Sequence, residues 1–148
     1  GGKGLTPQAL AALEAKASGV VRASVSNAPN PAQINLLKAF QSPSYAAQKR
    51  EKYELMKRRY NKIVEIFKNH PEYAESFTPM PFNSGYFMCV KPVGAEAEAV
   101  RKELIASYST GTIVLSGLIR LAFSATPTDK IEQLFANLDS AIRKVRQA

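Results

Sequence analysis

Apolar positions recur along this chain at two different periods, and the switch between them separates helices from strands. Tyr53, Met56, Tyr60, Ile63 and Phe67 are spaced alternately by three and four residues, which lays one stripe along a helix. Ile131, Leu134, Phe135, Leu138, Ile142 and Val145 repeat that stripe near the C-terminus. Four dipeptides, Thr6-Pro7, Asn30-Pro31, Ser42-Pro43 and Thr126-Pro127, set a short polar side chain before a proline. The polar residue can accept a hydrogen bond from a free N–H of a first helical turn, and proline fits the first helical position because its missing N–H costs nothing there. The pattern predicts helices from Pro7 to about Gly19, Pro31 to Gln41, Pro43 to about Lys68, and Pro127 to Arg146.

The period changes in the second half. The run from Gly85 to Val90 is aromatic and β-branched, bounded by Asn83-Ser84 and Pro92, and reads as a strand. Gly94 to Tyr108 is rich in Ala and Glu and reads as a helix with Val100, Leu104 and Ile105 inward. Thr112–Leu115 and Leu118–Phe123 are separated only by Ser116-Gly117, the signature of a hairpin. From Tyr45 onward the order is helix, strand, helix, strand, strand, helix, which predicts an α+β fold with a small antiparallel or mixed sheet covered by helices. The first forty residues offer an amphipathic helix and an extended loop, Val20 to Asn30, with no strand partner.

Composition narrows the class. The 148 residues suit one domain, and 45% hydrophobic with 22% charged residues is the balance of a soluble globular protein. A single cysteine, Cys89, excludes an internal disulfide framework, and a single histidine, His70, excludes a Cys/His zinc site of the usual kind. No apolar run is long enough to span a membrane and no signal-peptide segment is visible, so a cytoplasmic location without membrane contact is expected. The formal charge is +8, and the segment from Lys49 to Lys68 carries a net +5 of it. One reading of that segment is a nucleic-acid or acidic-protein surface. Interleaved Glu51, Glu54 and Glu65 and the lack of a nucleic-acid motif favour a solvated helix face making i,i+4 pairs, so nucleic acid is the weaker expectation.

Arg120 stands out among candidate functional residues. Alternation puts Leu118, Arg120 and Ala122 on one strand face and Ile119, Leu121 and Phe123 on the other, so both faces look apolar and covered. A guanidinium cannot shed its charge and is costly to bury unpaired. It is expected to meet a carboxylate or phosphate, of the protein or of a ligand, in bidentate geometry, or else to sit on an edge strand reaching water or an Asp or Glu. Arg22 lies in the predicted loop with Ser26 and Asn27, where solvation is the simpler reading. Cys89 reads as an inert core thiol, Tyr86 and Phe87 as core aromatics, and His70 as the end of a helix. No catalytic dyad or Gly-rich phosphate loop is present.

Three blocks together resemble the C-terminal portion of class I/II aminotransferases, the pyridoxal-phosphate (PLP) enzymes of fold type I. Val21-Arg-Ala-Ser-Val-Ser-Asn-Ala-Pro29 is similar to the family's "R…SNPP" loop before its interdomain helix. Asn83-Ser-Gly-Tyr-Phe87 is similar to a glycine-plus-aromatic strand of its small domain, and Ser116-Gly-Leu-Ile-Arg-Leu-Ala-Phe-Ser124 to the strand carrying its substrate-carboxylate arginine. The resemblance implies that residues 1–30 are a remnant of the large domain (helix plus active-site loop) and 31–148 the small domain, opened by a long interdomain-type helix. It implies that Arg120 binds the substrate α-carboxylate, and that Arg22 matches the residue that in dicarboxylate-specific members reaches across the dimer interface to the substrate's distal carboxylate. It also implies that Ser26 and Asn27 lie on the same active-site rim, with Phe87 near the substrate pocket. The parent would be a homodimeric transferase of amino-acid metabolism, moving an amino group between an amino acid and a 2-oxo acid. The Schiff-base lysine and the other PLP-binding groups are expected upstream of Gly1 and the missing large domain with them; Lys3 lacks their context and reads as a loop lysine. The isolated chain is therefore expected to be inactive, with no catalytic, cofactor-binding or metal-ligating residue of its own. The competing expectation is a stand-alone basic α+β binding module.

Overall fold

The computed structural model describes residues 4–26, 29–83 and 85–147. Helix α1 spans Pro7–Ser24 and α2 spans Asn30–Gln41; α3, the longest, spans Tyr45–Asn69. Strands β1 (Phe77–Pro79) and β2 (Met88–Pro92) follow, then α4 (Ala97–Tyr108), the hairpin β3 (Ile113–Leu115) and β4 (Leu118–Leu121), and α5 (Ile131–Gln147). Short 3₁₀ turns at Pro71–Glu75 and Thr128–Lys130 join α3 to β1 and lead into α5. The chain divides into two compact units, Gly1–Gln48 and Lys49–Ala148, each described by itself.

The second unit is α+β, as the pattern predicts, and its four-stranded sheet is wholly antiparallel in the order β1-β2-β4-β3. Met88 and Val90 of β2 pair with Leu121 and Ile119 of β4, and all four are buried. Phe67, Phe77 and Phe135 meet across the resulting core, with Phe67 and Phe135 ring centroids 4.9 Å apart. On α5 the stripe buries Ile131, Phe135, Leu138 and Ile142, with Leu134 and Val145 packed against it. Lys144 ties α5 to α4 through Glu103 at 2.6 Å. Arg146 donates to the carbonyls of Val93 and Glu75, holding the end of α5 against the loop after β2. Gly94, at φ +66°, lies where a Cβ would stand 3.3 Å from Arg146 Nε.

Several elements depart from the sequence reading, each for a local reason. Helix α1 does not stop near Gly19 but runs to Ser24, so Val20–Ser24 are helical rather than an extended loop. Nothing between Val20 and Ser24 breaks a helix, and a lone glycine weakens one by about 1 kcal/mol without ending it. Of the four polar–proline pairs only Thr6 caps as expected, accepting from Ala9 N–H at 3.2 Å. Asn30 is the first residue of α2, whose cap position is Pro29. The Ser42 hydroxyl accepts from Ser44 N–H at 3.3 Å, and α3 starts later, at Tyr45. Thr126 donates to the Ala122 carbonyl instead of capping. Strand β2 begins at Met88 rather than Gly85, and Ile105 is 50% exposed on α4 instead of facing inward.

Candidate functional site

β4 lies inside the sheet, between β2 and β3, and Arg120 pairs across it with Cys89 on one side and Ile113 on the other. An edge-strand arginine is thereby excluded. Side chains opposite one another in a ladder share a face, so Arg120, Cys89 and Ile113 project together, away from buried Ile119 and Leu121. Ile113 is 47% exposed and Cys89 half-buried. The expectation that both faces of β4 are covered is therefore corrected: helices cover one face, and the face bearing Arg120 is open. Cys89 belongs to that open face and is not a core thiol.

Arg120 itself is half-buried, and its Cζ lies 4.4 Å from the centre of the Phe87 ring. A cation over an aromatic face gains about 0.5–1 kcal/mol at an exposed site. Among the described residues no carboxylate lies within ion-pair distance of the guanidinium, so its charge is not neutralised by the fold. Phe87 is 48% exposed and Tyr86 68%, which corrects their reading as core aromatics: both lie in the segment that precedes β2, ahead of its first buried residue, Met88. Phe87 and Cys89, with Phe82, Asn83 and Leu118, line a groove of about 580 Å³ on this side of the sheet. A positive, unpaired, bidentate donor beside an apolar groove is equipped to bind a carboxylate or phosphate on a small organic molecule. The groove's lining includes no amine and no carboxylate, so these residues do not fit the task of holding PLP.

The other sequence-predicted site residues belong to the first unit. Arg22 lies in the last turn of α1, not in a loop, and its Nη1 donates to Ser26 Oγ at 2.7 Å. Ser26 has a positive φ of 72° and sits just past the end of the helix. Arg22 and Ser26 are thus neighbours, lining a shallow cavity with Glu14 and Gln33. Asn27 lies outside the described residues, as do Lys3 and Ser84. His70 follows the end of α3 as expected, its Nδ1 2.8 Å from Glu72 and its ring stacked on Tyr73.

One cluster was not singled out from sequence. Lys49, Lys52, Met56 and Arg59 line a second cavity with Tyr86 and Ser124. Their spacing of three, four and three residues was the available signal, since it puts all four on one face of α3. Among the described residues no helix is long and apolar enough to cross a membrane, and no group of His, Cys, Asp and Glu is disposed to hold a metal ion. No family model matches this chain, and no curated protein is significantly similar to it.

Proposed function

We propose that this chain is the C-terminal part of a PLP-dependent amino-acid aminotransferase and that Arg120 binds the substrate's α-carboxylate. The observation that carries the reading is Arg120 itself: a guanidinium on an interior strand, over the Phe87 ring and, among the described residues, without a carboxylate in reach. That arrangement suits a mobile acid group better than a structural ion pair. Three short blocks in the family's order support the same reading.

In this scheme the chain's part is orientation. Two parallel N–H donors of Arg120 grip the carboxylate and fix the direction of the Cα substituents, which removes rotational freedom before the chemical step. The Phe87 ring restrains the guanidinium, and the apolar groove beside it receives the substrate side chain. PLP and the groups that hold it are supplied by other parts of a cytoplasmic, homodimeric parent. The 148 residues by themselves turn over no amino acid. The polyanion-binding alternative has less support, because Lys62 is paired with Glu132 at 3.0 Å and Glu51, Glu54 and Glu65 interleave the cations of α3.

The test is a transaminase assay of the protein bearing this chain, PLP present, against a panel of amino acids and 2-oxo acids. Arg120→Gln is expected to lower kcat/KM by about 100-fold, equivalent to ~2.7 kcal/mol of lost binding in the transition state. An unchanged kcat/KM in that variant, or turnover by these 148 residues alone, would overturn the proposal.

A further inference from the structure

We infer that the cavity between the first half of α3 and the loops at 85–86 and 124 binds an organic anion: a carboxylate or phosphate head on an aromatic or apolar body. The cavity measures about 610 Å³, a volume suited to a small ligand. Three of its nine lining residues, Lys49, Lys52 and Arg59, are cationic, and none is acidic. Tyr53, Leu55, Met56 and Tyr86 supply an apolar wall. The cations recur on one helix face, so the helix holds them together irrespective of side-chain motion.

Arg59 gives the site its character. One terminal nitrogen, Nη1, donates to the Ser124 carbonyl, which pins the side chain, while Nε is buried and has no hydrogen-bond partner. Among the described residues no carboxylate lies within ion-pair distance of it, whereas neighbouring Lys62 reaches Glu132 and Lys52 reaches Glu51. A pinned guanidinium whose charge no described carboxylate offsets, beside an apolar wall, attracts an anion more strongly than a solvated lysine does. The Lys52–Glu51 pair is largely solvent-exposed and worth little, so it does not withhold Lys52 from a ligand. Ser124 N–H in turn donates to the Tyr86 carbonyl at 3.3 Å, so the two loops and the helix form one wall. The apolar wall is what separates this site from a general phosphate-binding surface: an inorganic ion uses the cations but leaves Tyr53, Met56 and Tyr86 unoccupied.

The cavity is distinct from the Arg120 groove and does not rest on the aminotransferase reading. The test is amide NMR titration of the full chain with phenyl phosphate, benzoate, inorganic phosphate and benzyl alcohol. Phenyl phosphate or benzoate is expected to give saturable shifts centred on Arg59, Gly85, Tyr86 and Ser124; which of the two binds tighter identifies the head group. Inorganic phosphate should bind about tenfold more weakly, and benzyl alcohol should give no saturable shift. Arg59→Lys, which keeps the charge but loses the fork, and Lys52→Glu should each weaken binding about tenfold, while Arg120→Gln should leave it unchanged. If Arg59→Lys fails to fold, Lys52→Glu and Tyr86→Ala carry the comparison. Unaltered affinity in the cavity variants, equal response to benzyl alcohol, or non-saturating shifts along Arg58, Lys57 and Lys62 would overturn the inference.

Discussion

Gly117 and Arg120 stand three residues apart, one used for its missing side chain and the other for its charge. Ser116 and Gly117 form the two-residue connection between β3 and β4, with φ of 49° and 78°. Positive φ at both central positions marks the primed turn that matches the twist of a tight hairpin. Gly117→Ala adds a Cβ that touches nothing but forces an L-residue into the left-handed region. It is expected to cost about 1 kcal/mol, read as a lower midpoint in urea denaturation with an unchanged slope; an unshifted midpoint would show that the turn tolerates the change. This hairpin was legible in the sequence because its determinants are local. Arg120 was legible as an anomaly and no further. Whether its face was covered depends on helices distant in sequence, and nothing within β4 encodes that they pack on one side only.

Elements were legible in proportion to the length of their periodic pattern. The stripe on α5 runs over four turns, and of the five residues that α5 buries, Ile131, Phe135, Leu138 and Ile142 were identifiable in advance while Ala141 was not. Phe135 is the centre of that stripe, in contact with both Phe67 and Phe77. Phe135→Ala should lower stability by about 3–5 kcal/mol through lost burial and a residual cavity, whereas Ile105→Ser on the exposed side of α4 should change it by less than about 0.5 kcal/mol. Equal effects of the two in thermal or urea unfolding would contradict the packing described. Short elements were less readable. β1 has three residues and no alternation to detect, and it exists because Phe77–Pro79 can pair with Val90–Pro92. Helix ends were read too literally from proline. A proline restricts where a helix begins without choosing among the first, second or cap position, and Thr6 alone had both the side chain and the backbone geometry to cap.

At the scale of the whole molecule, several of the charges are sorted into pairs. Hydrogen bonds and ion pairs lower the pKa of four glutamates below the ordinary 4.5: His70 acts on Glu72, Arg101 on Glu98, Lys144 on Glu103 and Lys62 on Glu132. A carboxyl with a depressed folded-state pKa binds fewer protons folded than unfolded near that pH. Its stabilisation is present above the unfolded value and is lost as pH falls through and below it. The melting temperature is therefore expected to hold near neutrality and to decline as pH drops from about 5 toward 3; a flat profile over that interval would show these pairs to be energetically idle. Residue types and their spacing had already determined the α+β class, the Ser116-Gly117 hairpin, the inward stripe of α5 and the oddity of an arginine between apolar neighbours, because each depends on residues within a few positions of one another. Folding alone settled that the Arg120 face of the sheet stays open, that Arg59 is pinned by a carbonyl 65 positions away, and that Lys49, Lys52 and Tyr86 border one cavity. These are juxtapositions of distant segments, and local periodicity carries no information about which distant segment will supply the neighbour.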